Sequence, residues 1–289
     1  MDPHLWRQAN VAFPDYDRAE HVALTHLVPL LVSAEQDGFL TSWFFIRKNP
    51  CWRVRFLPGA DATAARAYIH HHLDDLKSNR HIIDAREIVY EPETHAFGGT
   101  DGMACAHRLF HLDSRHLLAH LTDTQHLPAA GHRRELSILL CSALLRAARL
   151  DWYEQGDVWA RVADHRQPPG PIPADRLCAL QADLRHLMSV DTASLMREGS
   201  PLAYAPGWTR AFTVAGQGLA DLAAAGLLRR GLRAILAHHV IFVWNRFGLP
   251  HTTQAVLATT AKTVVFGSDP SAMHQTQKGK RPWTAPTES

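Results

Sequence analysis

Period-two alternation of apolar and polar positions marks the first hundred residues of the chain, and a helical period takes over after them. Leu5 to Phe13 and Ile82 to Tyr90 read as strands, and Trp43 to Phe56, WFFIRKNPCWRVRF, reads as a hairpin turning at Asn49 and Pro50. In its first strand Phe44 and Ile46 share one face, while Trp43, Phe45 and Arg47 share the other. In its second, Trp52, Val54 and Phe56 form an apolar face, and Cys51, Arg53 and Arg55 point the opposite way. Helices are expected from about Asp17 to Asp37, with Asp17 and Glu20 as a capping box and Gly38 as the stop, and from about Asp61 to Ser78.

Beyond Gly98 and Gly99 the helical spacing runs almost without interruption. It covers roughly Asp101 to Thr124, His132 to Arg149, Trp152 to His165, Ala174 to Met188, Trp208 to Ala225, Arg229 to Phe247 and His251 to Phe266. The stretches QPPGPIP and REGSPLAYAPG read as connections. The predicted fold is therefore α+β. A small, mostly antiparallel sheet with covering helices occupies residues 5–99, and a largely α-helical remainder occupies 100–267, the two forming one domain over 1–267. Residues 268–289, rich in Pro, Lys, Gln, Ser and Thr, are expected to be disordered.

Composition narrows the function classes. Thirty Lys and Arg stand against 28 Asp and Glu in 289 residues, so no global field favours nucleic acid. The apolar run Ala234 to Trp244 is broken by His238 and His239 and falls short of the roughly 20 residues a bilayer span needs. The beginning, MDPHLWRQ, lacks a signal-peptide pattern, and Cys51, Cys105, Cys141 and Cys178 are too scattered for a disulfide framework. A cytoplasmic protein with reduced thiols is expected. The twenty histidines show no zinc-site spacing, and neither GxGxxG nor GxxxxGK[ST] occurs, so neither a metal nor a cofactor is expected.

The candidate chemistry lies in the hairpin. Arg47, Arg53 and Arg55, with Trp43 and Phe45 beside them, suit a pocket wall for a carboxylate-bearing ligand. The competing reading is a partly exposed sheet face, with the arginine stems covering aromatic rings and their heads in water. Gly98 and Gly99 permit close approach of backbone to a ligand or another strand, and the helix after them offers free amides to an anion.

The hairpin, followed by YEPETHAFGG, MACAHRLFHLDSR and, late in the chain, HHVIFVWNR, resembles the C-terminal domain of lantibiotic dehydratases, which also occurs separately as thiopeptide-type bacteriocin biosynthesis proteins. The resemblance runs from Leu5 to about Phe266. It implies an enzyme of ribosomal peptide modification that eliminates glutamate from glutamylated Ser or Thr of a precursor peptide, leaving dehydroalanine or dehydrobutyrine. The implied partners are that precursor peptide and a separate glutamyl-tRNA-dependent glutamylation enzyme. Arg53 and Arg55 match the family's RxR pair and so take the role of gripping glutamate, with Arg47 in support.

Two positions depart from the pattern. Ala96 stands where eliminating members have arginine, and Val243 where they have a catalytic histidine. His239, one helical turn before Val243, is the candidate replacement, and Arg246 is favoured over Asn245 as a substrate contact. Asp113 and Ser114, matching the family's DS pair, are expected to serve packing. Two other readings stand beside elimination: a pyridine-synthase-like [4+2] cyclisation of a dehydrated peptide, and a precursor-peptide-binding partner without catalysis.

Overall fold

The structure, a computed structural model, describes residues 5–267 apart from 125–131, 168–169, 171–173, 192–193, 195–196 and 198–205. The tail expected to be disordered therefore lies outside the described residues. Four strands form one antiparallel sheet: β1 (Arg7–Ala12), β2 (Leu40–Lys48), β3 (Cys51–Pro58) and β4 (Asp84–Ile88), in the order β2-β3-β1-β4. Helices α1 (Ala19–Val22) and α2 (Val28–Gln36) precede the hairpin, and α3 (Ala62–Ser78) follows it, its first turn capped by Asp61 accepting from the amides of Thr63 and Ala64. The remainder is helical: α4 (Thr100–Thr124), α5 (Arg133–Ala147), α6 (Trp152–His165), α7 (Ala174–Ser189), α8 (Pro206–Ala224), α9 (Leu232–Phe247) and α10 (His251–Phe266). The α+β reading holds.

The first helical segment corrects the expected capping box. Asp17 does not cap: Arg18 occupies the N-cap without a side-chain bond, and Asp15 instead accepts from the Asp17 amide. Glu20 is drawn away to Arg47 and Arg133. Two guanidinium partners outcompete one backbone amide for the same carboxylate. Burial alone would raise the Glu20 carboxyl, but the hydrogen bonds and charges of Arg133 and Arg47 outweigh it and hold it near 2. The predicted continuous helix also widens into a π-helical turn, Ala23–Leu27. Pro29 follows directly; it has no N–H to donate to the Thr25 carbonyl, and its ring would press on that carbonyl in an ordinary helix.

The helical part is built around α5, which is buried at every position from Leu136 to Leu145, as expected of a helix apolar on all sides. Helix α8 crosses it closely at Gly216, where a Cβ would lie 2.4 Å from the Leu144 carbonyl oxygen. Trp159 stacks on Trp244 at 5.9 Å, and Trp208 on Phe247 at 5.6 Å. Among the described residues no helix is long and apolar enough to cross a membrane.

Helix α4 joins the two parts. At the β2 edge its His111 Nδ1 sits 3.1 Å from the Trp43 amide nitrogen and 3.0 Å from the Trp43 carbonyl oxygen, and Ser114 Oγ accepts from the Phe45 amide at 3.4 Å. Side chains thus stand in for a missing neighbouring strand. One residue away, the fully buried Asp113 accepts from Arg246 Nε at 2.6 Å and from Trp208 Nε1 at 2.8 Å, tying α4 to α9 and α8. Asp113 and Ser114 do serve packing and hydrogen bonding. Removing the carboxylate would strand a wholly buried guanidinium, so Asp113→Ala should lower the unfolding free energy by about 3–5 kcal/mol in urea titrations.

Candidate active site

Strand register divides the arginines. Phe44 pairs with Arg55 and Ile46 with Arg53 across β2 and β3, and Gln8 and Asn10 of β1 oppose the same two arginines. Directly opposed residues share a face, so Arg53 and Arg55 lie with Phe44, Ile46, Gln8 and Asn10. Arg47 opposes Trp52 and lies on the other face with Trp43, Phe45, Val54 and Phe56. The single wall of three guanidinium groups is therefore not formed.

Arg47 is fastened within the protein. Its guanidinium lies 4.6 Å over the Trp52 ring, its Nε donates to the Arg246 carbonyl at 2.8 Å, and its Nη1 binds Glu20, which leaves Nη2 buried without a partner. Trp43, fully buried, donates to Glu35 of α2 at 2.8 Å, and Phe45 stacks on Trp52 at 4.8 Å. Both aromatics belong to the core between the sheet and α2.

Arg55 is different. It is 3% exposed and lies between two rings, 4.5 Å from the centre of Tyr90 and 5.3 Å from that of Phe44. Gln8 Oε1 accepts from its Nε at 2.8 Å, and Glu93 lies 3.6 Å from its Nη2. Its Nη1 and Glu93 Oε2 are buried without a hydrogen-bond partner. A buried donor normally finds an acceptor, so a fixed guanidinium with a spare N–H beside a half-used carboxylate is a place prepared for a further polar group. Arg53, two residues away on the same face and about 7 Å along the strand, is half-buried and has no ion pair among the described residues. Tyr90, whose hydroxyl lies 2.9 Å from His107 Nε2, closes the inner end. Burial, with the Arg55 charge, holds His107 at about 4, so its imidazole is neutral.

A second unsatisfied cluster lies deeper. Arg246 spends Nε on Asp113 and lies 4.6 Å over the Phe110 ring, while its Nη1 and Nη2 are buried without partners. Both ring nitrogens of the fully buried His239 are also unpartnered. Phe44 and Phe110 connect the clusters: Arg55 touches Phe44, the two rings are 5.2 Å apart, and Phe110 lies 5.9 Å from His239. Arg55 and His239 share no hydrogen bond.

The remaining candidates are accounted for by packing. Gly98 and Gly99 have positive φ, and a Cβ on Gly98 would lie 2.4 Å from Ile235 Cδ1. The close approach at Gly98 is by α9, and that at Gly99 is by Arg229, 3.4 Å from the Cβ position. Val243 is fully buried, and the Ala96 carbonyl accepts from Arg230 Nη1 at 3.3 Å. Gln8, Tyr90 and His107 escaped the sequence reading. Only the register of β1 against β3, 47 positions apart, reveals that Gln8 holds Arg55. Elsewhere, α5, α7 and α10 border a groove of about 660 Å³, lined by residues including Ile138, Leu184, Leu187 and Val256; it shares no residue with the arginine face.

The family described as "Lantibiotic biosynthesis dehydratase C-term" matches residues 6–265. The chain belongs to that family. Among solved structures, the tRNA-dependent lantibiotic dehydratase MibB from Microbispora sp. 107891 is similar over 97% of this chain, at 17% identity and a TM-score of 0.64. The chain spans only 29% of MibB's length. The pyridine synthase TbtD from thiomuracin biosynthesis is similar over 90% of this chain and 97% of its own, at 13% identity and a TM-score of 0.64. TsrL matches over 92% and 99%, at 17% identity and a TM-score of 0.54. No curated protein matches. The three likenesses establish a shared fold.

His239 carries a test of its own within this fold. Burial, reinforced by the charges of Arg246 and His238, depresses it from 6.5 to about 3. Below pH 6.5 the unfolded chain takes up a proton that the folded protein refuses until about pH 3, so the stability held above pH 6.5 is lost as pH falls. His239→Leu removes that penalty. Between pH 7 and pH 5 the variant should lose about 2 kcal/mol less unfolding free energy than the parent protein in urea titrations. Equal losses would show that His239 is not held neutral.

Proposed function

We propose that the chain matures a ribosomally made peptide by eliminating glutamate from glutamylated Ser or Thr, and that the chemistry takes place on the Arg53–Arg55 face. The observation that carries this reading is Arg55 itself: a guanidinium fixed by Gln8, stacked on Tyr90 and Phe44, with a buried N–H unused. Family membership supplies the setting, lantibiotic biosynthesis. In this reading Arg55 binds the carboxylate of the ester-linked glutamate and Arg53 receives it from solvent. Glu93, whose second oxygen is unpartnered, takes the Cα proton of the modified residue. The Cα–H electron pair becomes the Cα=Cβ bond, the Cβ–O bond breaks, and glutamate leaves as a carboxylate held by the guanidinium groups. His239, neutral and sealed beneath Phe97 and Phe110, does not serve as an acid. It and Arg246 underlie the site.

The second reading, cyclisation of a dehydrated peptide, draws on one observation: the imidazole of His107 near Arg55 is held neutral, and so is that of the more distant His239. The partner enzyme that would install glutamate and the cytoplasmic setting belong to the elimination reading.

A synthetic peptide carrying one O-glutamylserine, incubated with the protein and followed by mass spectrometry, separates the readings. Elimination predicts loss of glutamate to give dehydroalanine, slowed about 10²–10³-fold by Arg55→Ala or Glu93→Gln with peptide binding retained. An ester that persists while a bis-dehydroalanine peptide is cyclised would overturn elimination in favour of the second reading.

A further inference from the structure

The sheet has two edges, and the protein treats them differently. Trp43 and Phe45 of β2 turn their backbone groups outward, to His111 and Ser114 of α4. Antiparallel ladders alternate, so Phe44 and Ile46 bond inward to Arg55 and Arg53. Following the alternation across the sheet, Val54 and Trp52 of β3 bond Ala9 and Val11, and Gln8 and Asn10 of β1 bond Ile88 and Arg86 of β4. The outward-facing backbone groups of the far edge are therefore those of Ala85 and Glu87, with Val89 continuing the series beyond the strand.

Nothing among the described residues takes the place at β4 that His111 and Ser114 take at β2. Helix α3 reaches β4 through side chains, Arg66 and His70 on Glu87 and Lys77 on Asp84, and leaves those backbone groups unbound. Large apolar side chains collect at the uncovered edge: Val89 is 85% exposed, Ile83 57%, Leu5 55% and Ile88 41%. An edge carrying free N–H and C=O groups between exposed aliphatic residues is complementary to one kind of occupant, an extended polypeptide.

We infer that β4 is a docking edge, on which the substrate peptide lies as a fifth, antiparallel or parallel strand with alternate side chains against Ile88, Val89 and Leu5. Continuity with the arginine face identifies the occupant as substrate. Ile88 opposes Gln8, the residue that holds Arg55, and Tyr90, one residue past Val89, stacks on Arg55. The segment that continues from the Val89 end of the edge carries both Tyr90, stacked on Arg55, and Glu93, 3.6 Å from Arg55 Nη2. This inference rests on the reading of that face as a peptide-modifying site, but docking needs no glutamyl ester and is tested without one.

The probe is a random dodecapeptide library displayed on phage and panned on the whole protein, with the selected peptides then synthesised. They should alternate apolar and polar residues, and binding should slow hydrogen exchange at the amides of Ala85, Glu87 and Val89. Ala85→Pro deletes an N–H that faces away from β1, so the ladder survives while binding weakens about tenfold. Val89→Lys, at a position already in solvent, should weaken binding without changing the melting temperature. Peptides that protect the α5–α7–α10 groove instead, peptides that bind Ala85→Pro as well as the parent, protection that follows protein concentration and so reports self-pairing, or no selected peptide at all would each overturn the inference. If docking holds but the ester of the previous experiment persists, the edge stands and elimination falls.

Discussion

The buried carboxylate of Asp113 is the constraint on which the rest of the arrangement depends. It sits on α4, whose neighbouring residues cover the β2 edge, and it holds Arg246 of α9 and Trp208 of α8 at hydrogen-bonding distance. Two fully buried opposite charges are tolerable only because each neutralises the other at close range, here through the single short bond from Arg246 Nε. The Arg246 backbone carbonyl in turn accepts from Arg47, so the helical part also grips the sheet face turned away from the candidate site. A second ionic knot, Glu20 between Arg47 and Arg133, fixes α1 to the same corner. The sheet is clamped at one edge and one face, and what remains open is the other edge and the Arg53 end of the other face.

That division gives the arginines different meanings. Arg47 is held by Glu20, a backbone carbonyl and an aromatic ring, on the face packed against α1 and α2. Arg55 also leaves one buried N–H unused, but it does so near a carboxylate oxygen of Glu93 that is itself unpartnered, and its fixed orientation derives from Gln8 on β1 and the ring of Tyr90. Fixing a donor while leaving a bond unused is how a protein prepares charge stabilisation in advance of its ligand. Arg53, half-buried and without an ion pair among the described residues, is the arginine of this face that the proposed reading gives the incoming carboxylate.

Much of the fold was legible in the sequence because it rests on local signals. Period-two runs located the strands, Asp61 marked the start of α3, and Gly38 and Gly248, both in left-handed conformation, ended their helices. The capping box at Asp17 and Glu20 failed for a non-local reason: arginines 27 and 113 positions away claimed the glutamate. The burial of His107 carries no local signal, because it depends on which helices pack together. Of the site, the RxR pair was readable from alternation within one strand. Its separation from Arg47 was not, because the face a strand presents is fixed by its partners' register. Gln8, which holds Arg55, was hidden for the same reason, whereas the bond of Asp113 to Arg246 depends on how α4 packs against α9.

The central claim is that Arg55 and Arg53, and not Arg47, receive the carboxylate of the substrate. Side-chain NMR signals of the arginine Nε–H groups, titrated with L-glutamate in the whole protein, address it directly. The account predicts saturable shifts of the Arg55 and Arg53 signals and of the Gln8 side-chain amide, with Arg47 unmoved. Shifts confined to Arg47, or an unresponsive Arg55 while glutamate binds elsewhere, would contradict it.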